Sequence, residues 1–484
     1  MTRPARSRPW RAEAIALAAM LVAATAGSTP LHVDAASGSD AAPGDSWASA
    51  LATVTTAVAR ARAASMPPER VVIRVAAGTY AAADITVGFP VMLAGGYPPG
   101  GGARDPRANL TVLDALGASR VLLLEAAAGD SIVDGFTLRG SSFRALECRA
   151  PATLQNLTVS DNAGLGVLIL SGWLRHSEIL RNAGGIWAYS LACREPAVVS
   201  DVLVADSSGF GVQADDSGCG FGDPSSAGVV LRHVRIIRTR DPALSARGLD
   251  LSCCPSVFNV EVASTEGDGV GIHSAVWQPP PWPPPGTPLE HVTVTGSTGA
   301  AVSIGNASGL TARGSIFWAN AGGDLRGVAG TIDVSSTLSE SPLPGPGNIS
   351  GIDPLLASAA DGSTGLSQLA SGQPRDSPAV NAGSRLAVQA GLEQRTTRTD
   401  GVRDAGAADL GFHRAPTEFT VARGAVPTAL LPHLVGVGLP ATDAGAALPP
   451  APARLFYAVD TDEAILLRRR AGDVQILLEH QAID

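Results

Sequence analysis

Lysine is absent from the 484 residues: all 35 basic side chains are arginine, set against 44 acidic ones for a net charge of −9. No extended basic run interrupts that balance, so neither nucleic acid nor an anionic membrane surface is an expected partner. Charged residues make up only 16% of the chain, too few for a coiled coil, and hydrophobic ones reach 45%, too many for a disordered one. Aromatics are scarce at 4%, so any core must be built from small aliphatic side chains. No apolar run reaches the length of a bilayer span. The five cysteines include no CxxC pair and no His/Cys spacing of a zinc site, and no cofactor is expected.

What is present begins with an export pattern. Arg3, Arg6, Arg8 and Arg11 precede an apolar run from Ala14 to Ala26 that ends in Ala24-Thr25-Ala26. This reads as a signal peptide over residues 1–26, removed before Gly27. The mature chain is therefore expected outside the cytoplasm, as an extracellular, periplasmic or cell-surface protein without a transmembrane span. Export makes Cys148, Cys193, Cys219, Cys253 and Cys254 candidate disulfide partners. The far end shows no apolar tail or sorting motif, so no lipid-anchored tail is expected there.

The middle of the chain repeats. Leu154-Gln-Asn-Leu-Thr-Val159 recurs with starts at Leu174, Val199, Leu231, Val257 and Leu289, 20 to 32 residues apart, and more loosely at Ile132–Leu138 and Leu310–Ile316. After most copies comes a polar turn and then a second short run, as in Gly166–Leu170, Gly211–Ala214, Gly271–His273 and Ala301–Ile304. Short β-branched runs punctuated by Gly and Asn are strands. Apolar residues occupy the first, fourth and sixth positions of each copy, and the odd step from first to fourth breaks strand alternation. A corner must lie there. Units too small to bury a core alone must stack. Together these features describe an all-β, right-handed single-stranded parallel β-helix, with eight visible coils giving a rod of about 40 Å.

Leu31-His-Val-Asp-Ala-Ala-Ser-Gly-Ser-Asp40, Ser46-Trp47-Ala48 and Val75-Ala-Ala-Gly-Thr-Tyr80 resemble the opening of secreted parallel β-helix proteins of the pectin-lyase-like superfamily. Leu93–Tyr97, Arg104–Pro106, Asn109–Leu113, Asp134–Leu138 and Ser315–Asn320 continue the likeness. Asp353–Leu356, Ser377–Gly383, Asp400–Arg403 and Asp409–Phe412 resemble a closing module of the choice-of-anchor kind. The resemblance covers about residues 31–414. It implies a helix over 27–375 and a closing module over 376–414. An Ala/Pro/Gly linker over 415–453 and a small β-meander over 454–484 follow from composition. The run Arg468–Arg470 reads as a solvated edge of that meander.

Residues able to carry chemistry collect in three places. The third position of the repeat forms a polar column, Asn156, His176, Asp201, His233, Asn259 and His291. Its His176–Asp201–His233 stretch is the nearest approach to a metal constellation, but the column is expected to be a hydrogen-bonded corner ladder. Arg235 and Glu261, at the fifth positions of consecutive coils, should form an exposed cross-coil ion pair.

Acidic residues gather at turns: Asp206, Asp215, Asp216, Glu266 and Asp268, with Arg238, Arg240 and Arg247 in the coil between them. Paired carboxylates are what a glycosidase needs. A Ca2+-dependent lyase of the superfamily needs clustered Asp ligands and a base, here Arg240. Asp215-Asp216 alone fits the superfamily's hydrolase motifs, and His273 stands in Gly-Ile-His-Ser. The aromatic candidates are Trp187 and Tyr189, flanking Ala188, with Trp277 and Trp282 in the insertion Trp277–Gly286. Its prolines favour a stiff polyproline segment that would present indoles for stacking on sugars or a partner. Cys193 and Cys219 follow the second runs of consecutive coils and are expected to form a disulfide.

The function expected from the residues is non-catalytic binding of glycans or of a cell-surface partner. Cleavage of an acidic polysaccharide by a lyase or hydrolase is the alternative, and a purely structural rod is a third. Ca2+ enters only with the lyase.

Overall fold

The computed structural model describes residues 30–64, 70–190, 195–216, 228–240, 247–252, 255–273, 287–305, 309–327, 331–359 and 363–416, together with four short strands between 457 and 475. Residues 28–415 form one compact unit. Its strands run parallel in two stacks: a 19-stranded first sheet and a 10-stranded second sheet. Each repeat contributes a bent pair of runs to the first and one run to the second.

The register follows the apolar positions of the repeat. Leu174, Val199, Leu231, Val257 and Leu289 lie in register, as do Ile179, Val204, Ile236, Val262 and Val294. All are buried. Like side chains stack one coil apart, which is why a core of small aliphatics packs without many aromatics. The corner falls at the third position: Asn156, His176, Asp201, His233, Asn259 and His291 all have φ between 48 and 57°. Asn, Asp and His tolerate this left-handed backbone better than β-branched residues do.

A second corner follows each copy, and just inside it runs a buried amide ladder. Asn182 Oδ1 accepts from the backbone N–H and the side-chain amide of Asn162, at 3.2 and 2.8 Å, while Asn182 Nδ2 donates to Val159 O at 2.9 Å. Helix Val54–Ala64 covers the first coils with Val54, Ala57, Val58 and Ala61. No described helix is long and apolar enough to cross a membrane.

Parallel stacking ends at Ile349–Ser350. Leu356–Ser358 then pairs antiparallel with Thr364–Leu366, and residues up to 414 fold back onto the outward face of the first sheet. Thr364 N donates to Glu261 Oε1 at 2.7 Å and Phe412 N to Thr293 Oγ1 at 2.8 Å. Asn259 both donates to and accepts from the His413 backbone at 2.6 Å, and Arg395 pairs with Asp201. This return corrects one expectation. The Arg235–Glu261 pair forms, at 2.8 Å, but the two side chains are only 13% and 1% exposed. A strand-face pair is exposed only while nothing lies over it, and the C-terminal segment does.

The distal strands are two antiparallel pairs, Tyr457–Asp460 with Glu463–Leu466 and Arg468–Arg470 with Asp473–Gln475. Arg468–Arg470 is thus itself a paired strand.

Candidate functional site

The second sheet is the face that the C-terminal segment leaves alone in every contact above. Its strands run Ile85–Val87, Arg120–Leu124, Arg144–Cys148, Leu165–Ile169, Gly184–Tyr189, Val212–Asp215, Arg247–Ser252, Asp268–His273, Val302–Ile304 and Leu325–Arg326. Along each strand buried aliphatics point into the core, and the residues between them form outward columns one rung apart. One column is Glu147, Leu168, Trp187, Gln213, Asp250, Gly271, Ser303 and Arg326. The next is Tyr189, Asp215, Ser252 and His273. Residues at the strand starts, among them Arg247 and Asp268, form a third.

Three side chains meet in these columns. Arg247 Nη1 donates to Asp250 Oδ1 at 2.7 Å, His273 Nε2 lies 3.1 Å from the same oxygen, and Arg247 also contacts His273 directly. Gly271 makes room for this. A Cβ there would lie 2.2 Å from Arg247 Cδ, so only glycine lets the arginine cross that rung. Gly305 likewise lacks the Cβ that would stand 3.0 Å from His273 Nδ1. Burial works to raise the Asp250 carboxyl, but the His273 hydrogen bond and the Arg247 guanidinium outweigh it and hold it below its ordinary value. On the neighbouring rungs Arg326 pairs with Asp268, whose Oδ1 accepts from Ala300 N at 3.0 Å.

Trp187 and Tyr189 lie half-buried on the same face, with Ala188 inward between them. Trp187 is two rungs from Asp250 and Tyr189 three from His273, about 10 and 14 Å. Asp215 stands in register with Tyr189 and Ser252. Asp216, at the end of that strand, accepts from Gly228 N at 3.3 Å through Oδ2, while its buried Oδ1 has no partner among the described residues. Burial, with the neighbouring charge of Asp215 adding, pushes this carboxyl up to about 6.

The remaining acidic candidates lie elsewhere. Asp206 sits at the corner preceding the second sheet, both oxygens taken by Arg238 at 2.7 Å. Arg240 and Glu266 lie at the same corner in the following coils, tied by backbone bonds to Ser207 and Thr239. Thus Asp215, Asp268, Trp187 and Tyr189 share the second-sheet face, whereas Asp206, Arg240 and Glu266 do not. Trp277, Trp282, Cys193, Cys219, Cys253 and Cys254 lie outside the described residues; Cys148 is buried with a free thiol.

Asp250 was not singled out by any motif. Its signal was its offset within the second run, two residues after the buried Gly248, matching Gln213 after Gly211 and Trp187 after Gly185. In the His176–Asp201–His233 column Asp201 is paired with Arg395, and among the described residues no three His, Cys, Asp or Glu side chains cluster as ligands.

No family model matches this chain, and no curated protein is similar to it. Among solved structures it is similar to an alginate lyase from Paenibacillus sp. str. FPU-7, at 15% identity over 58% of this chain and 96% of that one, with a TM-score of 0.39. Pectate lyase Pel9A matches at 13% identity over 82% and 92% of the two chains, with a TM-score of 0.40. Tailspike protein gp49 of Acinetobacter baumannii bacteriophage Fri1, a capsular polysaccharide depolymerase, matches at 10% identity over 64% and 56%, with a TM-score of 0.38. Likeness of this degree says nothing about chemistry, and the fold rests on the strand pairing itself.

Proposed function

We propose that the chain binds an acidic polysaccharide along the outward face of the second sheet and cleaves it by β-elimination. The observation that carries this reading is the meeting of Arg247, Asp250 and His273 on that face. We assign the proton of the neutral His273 ring to Nε2, which faces Asp250 Oδ1 at 3.1 Å, so that Nδ1 carries the lone pair, an arrangement in which a carboxylate fixes the tautomer of a base. That base would take the proton α to a uronate carboxylate. The C–H electron pair forms the new double bond, the C4–O bond breaks with its electron pair leaving on oxygen, and that oxygen takes a proton from solvent water. Arg247 and Arg326 supply cations near the uronate carboxylate. Ca2+ fits this face poorly, because Asp250 and Asp268 are each engaged by an arginine, and no step is assigned to a metal. The export pattern at the N-terminus supports placing the activity outside the cell.

Full-length protein incubated with polygalacturonate and with alginate should release unsaturated ends, detected by ultraviolet absorbance. His273→Gln and Asp250→Asn should reduce that release by about 10²–10⁴-fold with melting unchanged, the range expected for losing a general base. Wild-type levels of product from both variants would rule the assignment out.

A second reading, binding without cleavage, is favoured by Trp187 and Tyr189, whose rings on a flat sheet face suit stacking on sugars. It predicts that Trp187→Ala weakens glycan binding while no product forms with the wild type.

A further inference from the structure

Two rungs from Trp187, on the side away from Asp250, three arginines surround a single carboxylate. Glu147 is 1% exposed, yet it lies in the outward column between Leu123 and Leu168. Arg120 Nη1 and Arg144 Nη1 each donate to its Oε2 at 3.1 Å, and Arg149 Nε donates to Oε1 at 2.7 Å. Arg120 also reaches Asp84 at 3.3 Å. Against three guanidiniums stand two carboxylates, Glu147 and Asp84, leaving one positive charge in excess in a chain whose net charge is −9.

Arg120 and Arg144 are direct cross-strand partners, a pairing that repels unless a counter-charge lies between them. Glu147 is that counter-charge, and the hydrogen bonds from Arg149, Arg120 and Arg144 hold its carboxyl below its ordinary value against burial. Three guanidiniums carry more N–H donors than the lone pairs of one carboxylate can accept. Arg144 Nη2 and Arg149 Nη1 have no acceptor among the described residues. The three side chains are 27%, 22% and 46% exposed, so each reaches solvent in part. The ring of Phe143, 54% exposed, lies 4.5 Å from the Arg144 guanidinium and stiffens it. The result is a rigid, cationic, donor-rich spot flanked by the apolar side chains of Leu123 and Leu168.

We infer that Arg120, Arg144 and Arg149 form an anion subsite that takes a carboxylate or sulfate group of a polysaccharide. That the ligand is a polysaccharide rests on the proposed function. Glu147 and Asp250 are four rungs apart in one column, about 19 Å. A glycan chain lying along the strands' stacking direction would therefore meet the arginine spot, the Trp187 ring and the Asp250–His273 pair in succession. Planar guanidiniums bind both carboxylate and sulfate through paired N–H groups.

Calorimetric titration of the full chain with oligogalacturonate, dextran sulfate and neutral dextran tests this. At least one anionic polymer should bind, neutral dextran should not, and the polymer that binds names the anion. Arg144→Gln with Arg149→Gln should weaken that binding tenfold or more and flatten its salt dependence. Arg238→Gln, at the distant corner, should change neither. Should the double variant fail to fold around an unpaired Glu147, Arg149→Gln alone, the most exposed of the three, carries the test with a severalfold loss. Unchanged affinity and salt dependence in a folded variant, or equal binding of neutral dextran, overturns the subsite. Product release separates the two proposals. Cleavage that depends on His273 but is indifferent to the arginines leaves the function standing without the subsite. Arginine-dependent binding without any cleavage does the reverse.

Discussion

At the scale of single residues the candidate site depends on one missing side chain. Gly271 has no Cβ, and Arg247 crosses the sheet through the space that leaves. Gly271→Ala should displace the arginine, because a flexible side chain yields before a strand does. Stability should fall by about 0.5–3 kcal/mol, the ordinary range for a single substitution, while kcat/KM on the cleaved polymer falls about tenfold or more. An unchanged rate would show that Arg247 has no part in turnover. Asp216 gives a second residue-level test. Its folded carboxyl titrates at about 6, above its unfolded value, so the folded state holds the extra proton. The stability linked to it is present below about pH 4 and lost as pH rises through 6. Asp216→Asn, neutral at all pH, should therefore raise Tm by about 2–4 °C at pH 8 and leave it unchanged at pH 4. A lower Tm at pH 8 would mean that the carboxylate has a partner worth keeping.

At the scale of the element, each coil is held by what stacks inside it. Val204 and Ile236 are in-register core partners, both buried. An aspartate at either position would put an unpaired charge into the stack, and Val204→Asp or Ile236→Asp should prevent folding. Circular dichroism and melting like the wild type's would refute the inward assignment. The amide ladder can be probed more gently. Asn182→Ala removes the acceptor of two Asn162 donors and the donor to Val159 O. At about 1–3 kcal/mol for each buried group left unpaired, a loss of several kcal/mol is expected in chemical denaturation.

At the scale of the whole compact unit, the return of the C-terminal segment over the first sheet governs the response to pH. Burial holds His291 down to about 3, with the charges of His413 and Arg385 adding, and His233 down to about 4, with Arg395 adding against Asp201. Phe258 stands between the two rings, 5.9 and 5.7 Å away. Both histidines stay neutral in the folded state while the unfolded chain takes up protons near pH 6.5. Their folded values are depressed, so stability falls as pH drops from about 6.5 toward 4. The Asp216 linkage runs the other way across part of that range but involves one group against two. Tm should decrease between pH 7 and 4, and His291→Phe, packing against Phe258, should make the decrease shallower. A Tm that is flat or rises over that interval would contradict the burial of these rings.

The repeat alone determined the coil. Apolar residues at positions one, four and six cannot all face inward along a straight strand, so the chain had to bend at position three. There the tolerance of Asn, His and Asp for left-handed backbone made the corner visible as a polar column. The aromatic pair flanking Ala188 was legible for the same reason, since strand alternation puts both rings on one side. Alternation has no such power across unequal loops. Arg247, Asp250 and His273 come from two coils, and only the register of their strands brings them onto one oxygen, with a glycine of the His273 strand opposite Asp250. Asp206, Arg240 and Glu266 lie near Asp215 and Asp268 in the chain but at a corner, off the face that those two share. The Arg235–Glu261 pair was readable as a contact but not as a buried one. Its burial is decided by a segment more than a hundred residues later, which covers that face because Asn259, Glu261 and Thr293 offer hydrogen-bond partners there. Periodicity records which way a side chain points, while what meets it from another coil or covers it from the far end depends on distances that only the folded chain defines.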